Sequence, residues 1–204
     1  MSNVNSTVNE VAPEVAGHRK SEYPVNPQFL NRWSSRALSD RKVTEQDLFT
    51  VLEAGHWAPS SYNDQPWRFI YAHTEEQLTV FHQFINEFNN TWAANAPVLI
   101  LLASDKRRPN GDLNGAHSFD AGTAWGSIAL QANLLGLTTR AMGGFDHDKA
   151  RRLLNVPDSF ELHVVIALGY PGDKDQLPPN LRDMDVPTSR RPLKEVIFKG
   201  TMKP

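Results

Sequence analysis

On pattern alone this chain predicts a doubly wound parallel sheet flanked by helices, because helical and strand signals alternate along it. Three observations carry that expectation. The continuous apolar run 98–103 and the largely apolar run 162–168 read as buried strands. Two Thr-led capping signals, Thr44 with Asp47 and Thr74 with Gln77, open stretches of helical period. Between the apolar runs lies 121–135, a helix whose small residues Ala121, Ala124, Gly126, Ala129 and Ala132 permit close packing.

The elements follow in order. Residues 1–24 read as a flexible N-terminal arm, since Asn, Ser, Val and Glu keep neither a helical nor a strand period there. Residues 25–204 read as one folded domain with a C-terminal tail. The helix after Thr44 buries Leu48, Val51 and Leu52, with Gly55 near its end. Pro66 precedes a strand, 67–71. The helix opened by Thr74 is expected to carry Leu78, Phe81, Ile85 and Phe88 on one face. Segment 103–114 is charged and loop-like. Gly136 stops the long helix, 138–142 forms a short strand, and Asp146 is placed to cap a helix limited by Pro157. After the strand 162–168 the chain holds Pro178, Pro179, Pro187 and Pro192. Such a tail has no core of its own, so it is either disordered or laid across another surface, such as a second subunit.

Bulk properties exclude several functions. A chain of 204 residues suits one domain with a sizeable core. The formal net charge of -2 sets up no field that recruits nucleic acid or an anionic membrane. The absence of cysteine excludes disulfides, thiolate nucleophiles and Cys-based zinc sites. Residues 1–12 are polar, unlike a signal peptide, and no stretch approaches the roughly 20 apolar residues of a membrane span. The expected location is cytoplasmic. The seven histidines form no H-E-x-x-H, so no metal site is expected. G-x-S-x-G, a P-loop and a post-strand G-x-G-x-x-G are also missing.

Four segments remain that carry chemistry. In 32–36, a helical path would set Arg32 and Arg36 one turn apart, where like charges repel by about 0.2–0.5 kcal/mol. A phosphate between them turns repulsion into attraction, and Ser34 adds a hydrogen bond. A solvated basic face is the alternative. Segment 58–67 (APSSYNDQPW) holds short hydrogen-bonding side chains between stiffening prolines, a lining that suits a flat heterocycle. An ordinary Pro-Ser turn is its alternative. Gly143 and Gly144, between strand and helix, let backbone approach a planar ligand. Arg190 and Arg191 reach either a phosphate or solvent. His117, Phe119 and Asp120, ahead of the long helix, are candidates for a substrate-facing surface.

Taken together and in this order, these segments resemble the nitroreductase family of FMN enzymes. The resemblance covers about residues 28–198 and rests most on Pro59 through Trp67. Arg32, Ser34 and Arg36, then Asn89, Trp92, Ala96 and Pro97, then Leu135-Gly136-Leu137, Gly143 to Asp146, Ala167 to Pro171 and a late arginine complete it. The chain departs from the pattern at Thr188, where many relatives carry lysine, at Trp92, near which some are basic, and in a short 103–119.

The resemblance implies an α+β fold, a three-layer α-β-α sandwich in an intertwined homodimer, in place of the parallel sheet. It implies that Arg32, Ser34, Arg36 and Arg190 bind the FMN phosphate and ribityl chain. Pro59, Ser60, Ser61 and Asn63 would line the flavin from the partner subunit. Asn89 would face the pyrimidine edge, and Gly143 and Gly144 would lie near N5. NADH or NADPH is the implied hydride donor, with a nitroaromatic, a quinone or a similar acceptor and no catalytic acid or base. The alternatives are a flavin-binding protein without turnover and a flavin-fragmenting or dehalogenating enzyme. Under this reading the arm is dispensable, and removing residues 1–20 leaves the cofactor in place.

Overall fold

A computed structural model describes residues 10–202. Two single helical turns open it, α1 (Pro13–Ala16) and α2 (Gln28–Asn31). Helix α3 (Glu45–His56) begins where Thr44 Oγ1 accepts the Asp47 N–H at 3.0 Å. Strand β1 (Trp67–Ala72) follows. Helix α4 (Glu75–His82) starts on a full capping box between Thr74 and Gln77, which satisfies two of the N–H groups a helix start leaves unpaired. The single helix expected through Phe88 is two. Asn86 Oδ1 accepts the Asn89 N–H at 2.8 Å and restarts the chain as α5 (Glu87–Ala93), while Ile85 turns inward to bridge Phe145 and Phe88 is exposed.

Strand β2 (Val98–Asp105) leads by a loop to α6 (His117–Leu134). Gly136, at φ +71, ends that helix in the left-handed region that favours glycine. Strand β3 (Thr138–Met142), α7 (His147–Leu153), β4 (Phe160–Gly169) and α8 (Pro179–Arg182) complete the order. Asp146 caps α7 by accepting the Lys149 N–H at 2.9 Å.

The sheet runs β1-β2-β4-β3 with every neighbouring pair antiparallel, which overturns the parallel sheet expected from the alternating pattern. Alternation of helix and strand does not encode strand direction. Helix α6 links β2 to β3, which run the same way with β4 between them. Segment 143–159, with α7, and segment 73–97, with α4 and α5, instead return the chain as an adjacent antiparallel strand, although both are long enough for a crossover.

The sheet is buried on both faces. Leu99, Leu101 and Ala103 of β2 pack in one core with Phe81, Trp92, Ala93 and Ala150 from α4, α5 and α7. The alternate residues Val98, Ile100 and Leu102 pack in a second with Leu48 and Val51 of α3 and Ala124, Ile128 and Ala132 of α6. Period-2 alternation with two covered faces is why β2 reads as an unbroken apolar run. The tail's first part joins its own protomer, with Leu177 and Leu181 in the first core. Farther on, Val196, Ile197, Phe198 and Met202 are exposed.

Residues 1–9 of the expected arm lie outside the described residues. From Glu10 the arm touches the fold: the Glu10 carbonyl accepts from Asn31 Nδ2 at 3.0 Å, the Ala12 N–H donates to Asn31 Oδ1 at 2.8 Å, and Val15 is fully buried. Among the described residues no helix is long and apolar enough to cross a membrane, and no group of His, Asp or Glu could hold a metal.

Candidate functional site

Five arginines, Arg19, Arg32, Arg36, Arg140 and Arg190, line one cleft of about 280 Å³ with Ser34 and Thr188, and among the described residues no acidic side chain lines it. Arg32 and Arg36 do not reach it from a helix. Helix α2 ends at Asn31 and Arg32 is extended, at φ −68 and ψ 114. In extended chain, positions 32, 34 and 36 share one side, which gathers Arg32, Ser34 and Arg36 by a period of two. Arg32 Nη1 donates to Ser34 Oγ at 3.1 Å, and Arg140, from β3, donates to the Ser34 carbonyl.

The segment is pinned from behind by Asp185, only 4% exposed. Its carboxylate accepts from Ser35 Oγ at 2.7 Å, from the Arg36 N–H at 2.7 Å and from the Ala37 N–H at 3.2 Å. Committed to those donors, it leaves the cleft an excess of positive charge. Burial first, then the Arg190 guanidinium, holds the Arg32 pKa below its ordinary value. Burial, then Arg190 and Arg32, does the same to Arg19. Burial, then Arg36, lowers Arg140 against the opposing pull of Asp185. Arg36 Nε is buried with no hydrogen-bond partner among the described residues. Desolvated guanidiniums that repel one another, with a donor unmet, are the chemistry of a phosphate receptor.

A second group lies along the same edge strand, where β3 runs into Gly143 and Gly144. Asn89 Nδ2 and the Asn86 N–H both donate to the Gly144 carbonyl at 3.1 Å. A Cβ on Gly144 would stand 2.3 Å from Asn86 Nδ2 and 2.7 Å from Asn89 Nδ2, so only glycine allows this approach. Gly143 is exposed, with open space where a Cβ would be. Behind this edge, Trp92 Nε1 is buried without a hydrogen-bond partner and the Arg140 guanidinium stands 5.7 Å from the Trp92 ring.

The loop carrying Pro59, Ser60, Ser61 and Asn63 sits elsewhere. It leads into β1, the sheet edge opposite β3, and does not line the arginine cleft. Tyr62, Asn63 and Gln65 have φ of 52, 58 and 47, in the left-handed region. Such backbone costs about 1–3 kcal/mol per residue and persists only where surroundings hold it. Here Asp120, buried, accepts the Ser61 N–H at 3.2 Å, Thr123 Oγ1 donates to the Pro59 carbonyl at 2.9 Å, and Ser60 Oγ accepts the Gln65 N–H at 3.1 Å. Arg108 pairs with Asp64 at 3.0 Å and covers the Tyr62 ring at 4.6 Å. Of the three candidates before the long helix, Asp120 is thus turned inward to the loop and His117 toward Ser104, while Phe119 is exposed.

Sequence reasoning missed Arg19, Arg140 and Asp185. Arg140 had a signal, a cation within a predicted strand. Arg19 and Asp185 had none, because neither their neighbours nor their spacing marks them.

His163 gives the fold a pH dependence. The register of β2 on β4 shifts past His163, and such a bulge re-aims a side chain. Its Nε2 meets the fully buried Ser104 Oγ at 2.6 Å, and His117 Nδ1 meets the same oxygen at 2.8 Å. One hydroxyl proton serves one ring, so the other must donate. Burial, then the His117 ring, with His147 adding and Glu161 opposing, holds the His163 pKa below 6.5. The unfolded chain therefore takes up this proton first as pH falls. The stabilisation is fully present above 6.5 and is lost as pH falls through the lower folded value. Melting temperature is expected to drop on acidification from 6.5 through that lower value, and His163→Gln to flatten the drop. An equal slope in the variant would assign the dependence to other groups.

The Nitroreductase family model matches residues 30–85 and 74–170. A solved oxidoreductase containing FMN is 43% identical, over 91% of this chain and 96% of its own, with a TM-score of 0.88. A protein of Archaeoglobus fulgidus, provisionally named NADH dehydrogenase/NAD(P)H nitroreductase, is 29% identical over 150 residues, 72% of this chain and 84% of its own. An FMN reductase [NAD(P)H] of Bacillus subtilis is 26% identical over 192 residues, 85% of this chain and 71% of its own.

Proposed function

The chain belongs to the nitroreductase family, and on that premise we propose that it is an FMN-dependent oxidoreductase drawing hydride from NADH or NADPH. The observation that carries the reading is the acid-free cleft of five arginines on the edge strand that also presents Gly144 to Asn89. The names of the relatives agree with it.

The residues fit the cofactor. Arg32, Ser34, Arg36 and Arg190, with Arg140, would hold its phosphate and ribityl chain. Asn89, Gly143 and Gly144 would hold the ring. Bound FMN supplies acceptance of a hydride at N5 and its onward transfer to an electron-poor acceptor, such as a nitroaromatic or a quinone. The chain's own part is binding, orientation and positive charge, and no side chain is assigned as an acid or base. The strained loop with Pro59, Ser60, Ser61 and Asn63 is apart from the cleft in one protomer. It would complete the site from a partner subunit, in a three-layer sandwich assembled as an intertwined homodimer. The exposed apolar tail residues Val196, Ile197 and Phe198 support that reading, since a second copy would cover them.

The test is the visible spectrum of the purified protein. A yellow protein that releases FMN, not FAD, on acid treatment is expected, bleached by NADH or NADPH without oxygen and recoloured by a nitroaromatic or quinone. Sedimentation of the loaded protein should show a dimer. A protein that stays colourless after incubation with FMN would overturn the reading.

A further inference from the structure

The arginine cleft is closed on one side by the N-terminal arm. Arg19 Nη1 donates to the Leu30 carbonyl at 2.7 Å and to the Arg32 carbonyl at 2.8 Å. Its Nε donates to the Thr188 carbonyl at 2.9 Å. Those carbonyls belong to two segments far apart in sequence, one bearing Arg32 and the other leading to Arg190. The arm itself is fastened beside them, through the buried Val15 and the Ala12 N–H on Asn31 Oδ1 at 2.8 Å.

We propose that Arg19 is a positioning residue for the cofactor phosphate, a clamp that ties the Arg32 segment to the Arg190 segment and makes the arm part of the binding site. The inference rests on the FMN reading of the cleft and adds to it a residue outside the matched family region, which begins at 30. It reverses the expectation of a dispensable arm. A planar guanidinium has a fork of fixed donors, so it can bridge carbonyls of two segments while its charge stays at the cleft. Arg19, Arg32 and Arg190 are driven together by these backbone contacts although their charges repel; burial first, then Arg190 and Arg32, lowers the Arg19 pKa. An anion between them removes that repulsion. Clamp and anion are therefore linked: an anion in the cleft holds the arm down, and a docked arm tightens anion binding by the same factor.

The experiment titrates apoprotein with FMN and with riboflavin, by flavin fluorescence, for wild type, Arg19→Ala, Arg19→Lys and chains lacking residues 1–9 or 1–20. Arg19→Ala and loss of 1–20 are expected to weaken FMN roughly 10- to 100-fold, the scale of one charge-assisted contact, with riboflavin nearly unmoved. Loss of 1–9 should change neither. Arg19→Lys restores a charge but not the fork, and should recover only part of the affinity. Equal losses for both ligands, or no loss for either, would overturn the clamp.

A second measurement follows trypsin cleavage after Arg19 and Lys20 in the wild-type chain, with and without inorganic phosphate. Phosphate is expected to slow cleavage there, and no protection would also overturn the clamp. If wild type binds neither flavin, the FMN reading fails, and phosphate protection then decides the clamp alone.

Discussion

Replacing Arg32 and Arg36 together by Ala is expected to weaken FMN binding by roughly 10² to 10⁴ and to leave riboflavin binding almost unchanged. The two ligands differ in the phosphate, and the two side chains meet in the acid-free cleft, so the difference isolates the charge. Hydrogen bonds to charged groups contribute about 1.5–3 kcal/mol each, and losing two costs on the order of 3–6 kcal/mol if they add. They line one cleft with Arg19, Arg140 and Arg190 and would share one anion with them, which favours the low end of the range. Removing two mutually repelling cations also stabilises the empty cleft. Apoprotein melting temperature should therefore hold or rise while FMN affinity collapses. Equal losses for both flavins would return this segment to a solvated basic face.

Asp185→Ala is expected to destabilise the fold itself, by about 3–5 kcal/mol. The carboxylate is 4% exposed and accepts from Ser35 Oγ, the Arg36 N–H and the Ala37 N–H. Alanine leaves all three buried donors without that acceptor and takes away a negative charge that acts on Arg140 against the repulsion from Arg36. At about 2–4 °C per kcal/mol for a chain of this size, the melting temperature should fall by roughly 6–20 °C. Asp185→Asn keeps an acceptor oxygen and the shape, so its cost should be smaller. It isolates the charge, because the uncompensated guanidiniums remain. Denaturant midpoints for the two variants check this. A loss of under about 1 kcal/mol in Asp185→Ala would mean that water meets those donors as well as the carboxylate does.

The parts of this protein that the sequence determined by itself are those whose partners lie within a few residues. Thr44, Thr74 and Asp146 announce helix starts because a side chain three residues before an N–H can cap it without help from the rest of the fold. The stop at Gly136 was legible for the same reason. So was the loop from Pro59 to Trp67, whose residue types announce restrained backbone even though the sequence does not reveal the left-handed φ of Tyr62, Asn63 and Gln65.

Tertiary structure decided the rest. Alternation of helix and strand does not encode direction; pairing across the sheet does, and it sets an antiparallel order around the crossover that α6 makes. Arg32 and Arg36 share a side at both helical and extended spacing, and Ser34 joins them only in extended chain, so the two charges by themselves left the conformation open. Asp185, about 150 positions away, holds the backbone of this segment by accepting the Arg36 N–H. Arg19 and Arg140 come to the same cleft from an arm without period and from an edge strand. The physical reason is that charge has no periodicity. A cap is set by chain geometry over one turn, whereas an anion site is set by whatever distant segments burial brings into one low-dielectric space.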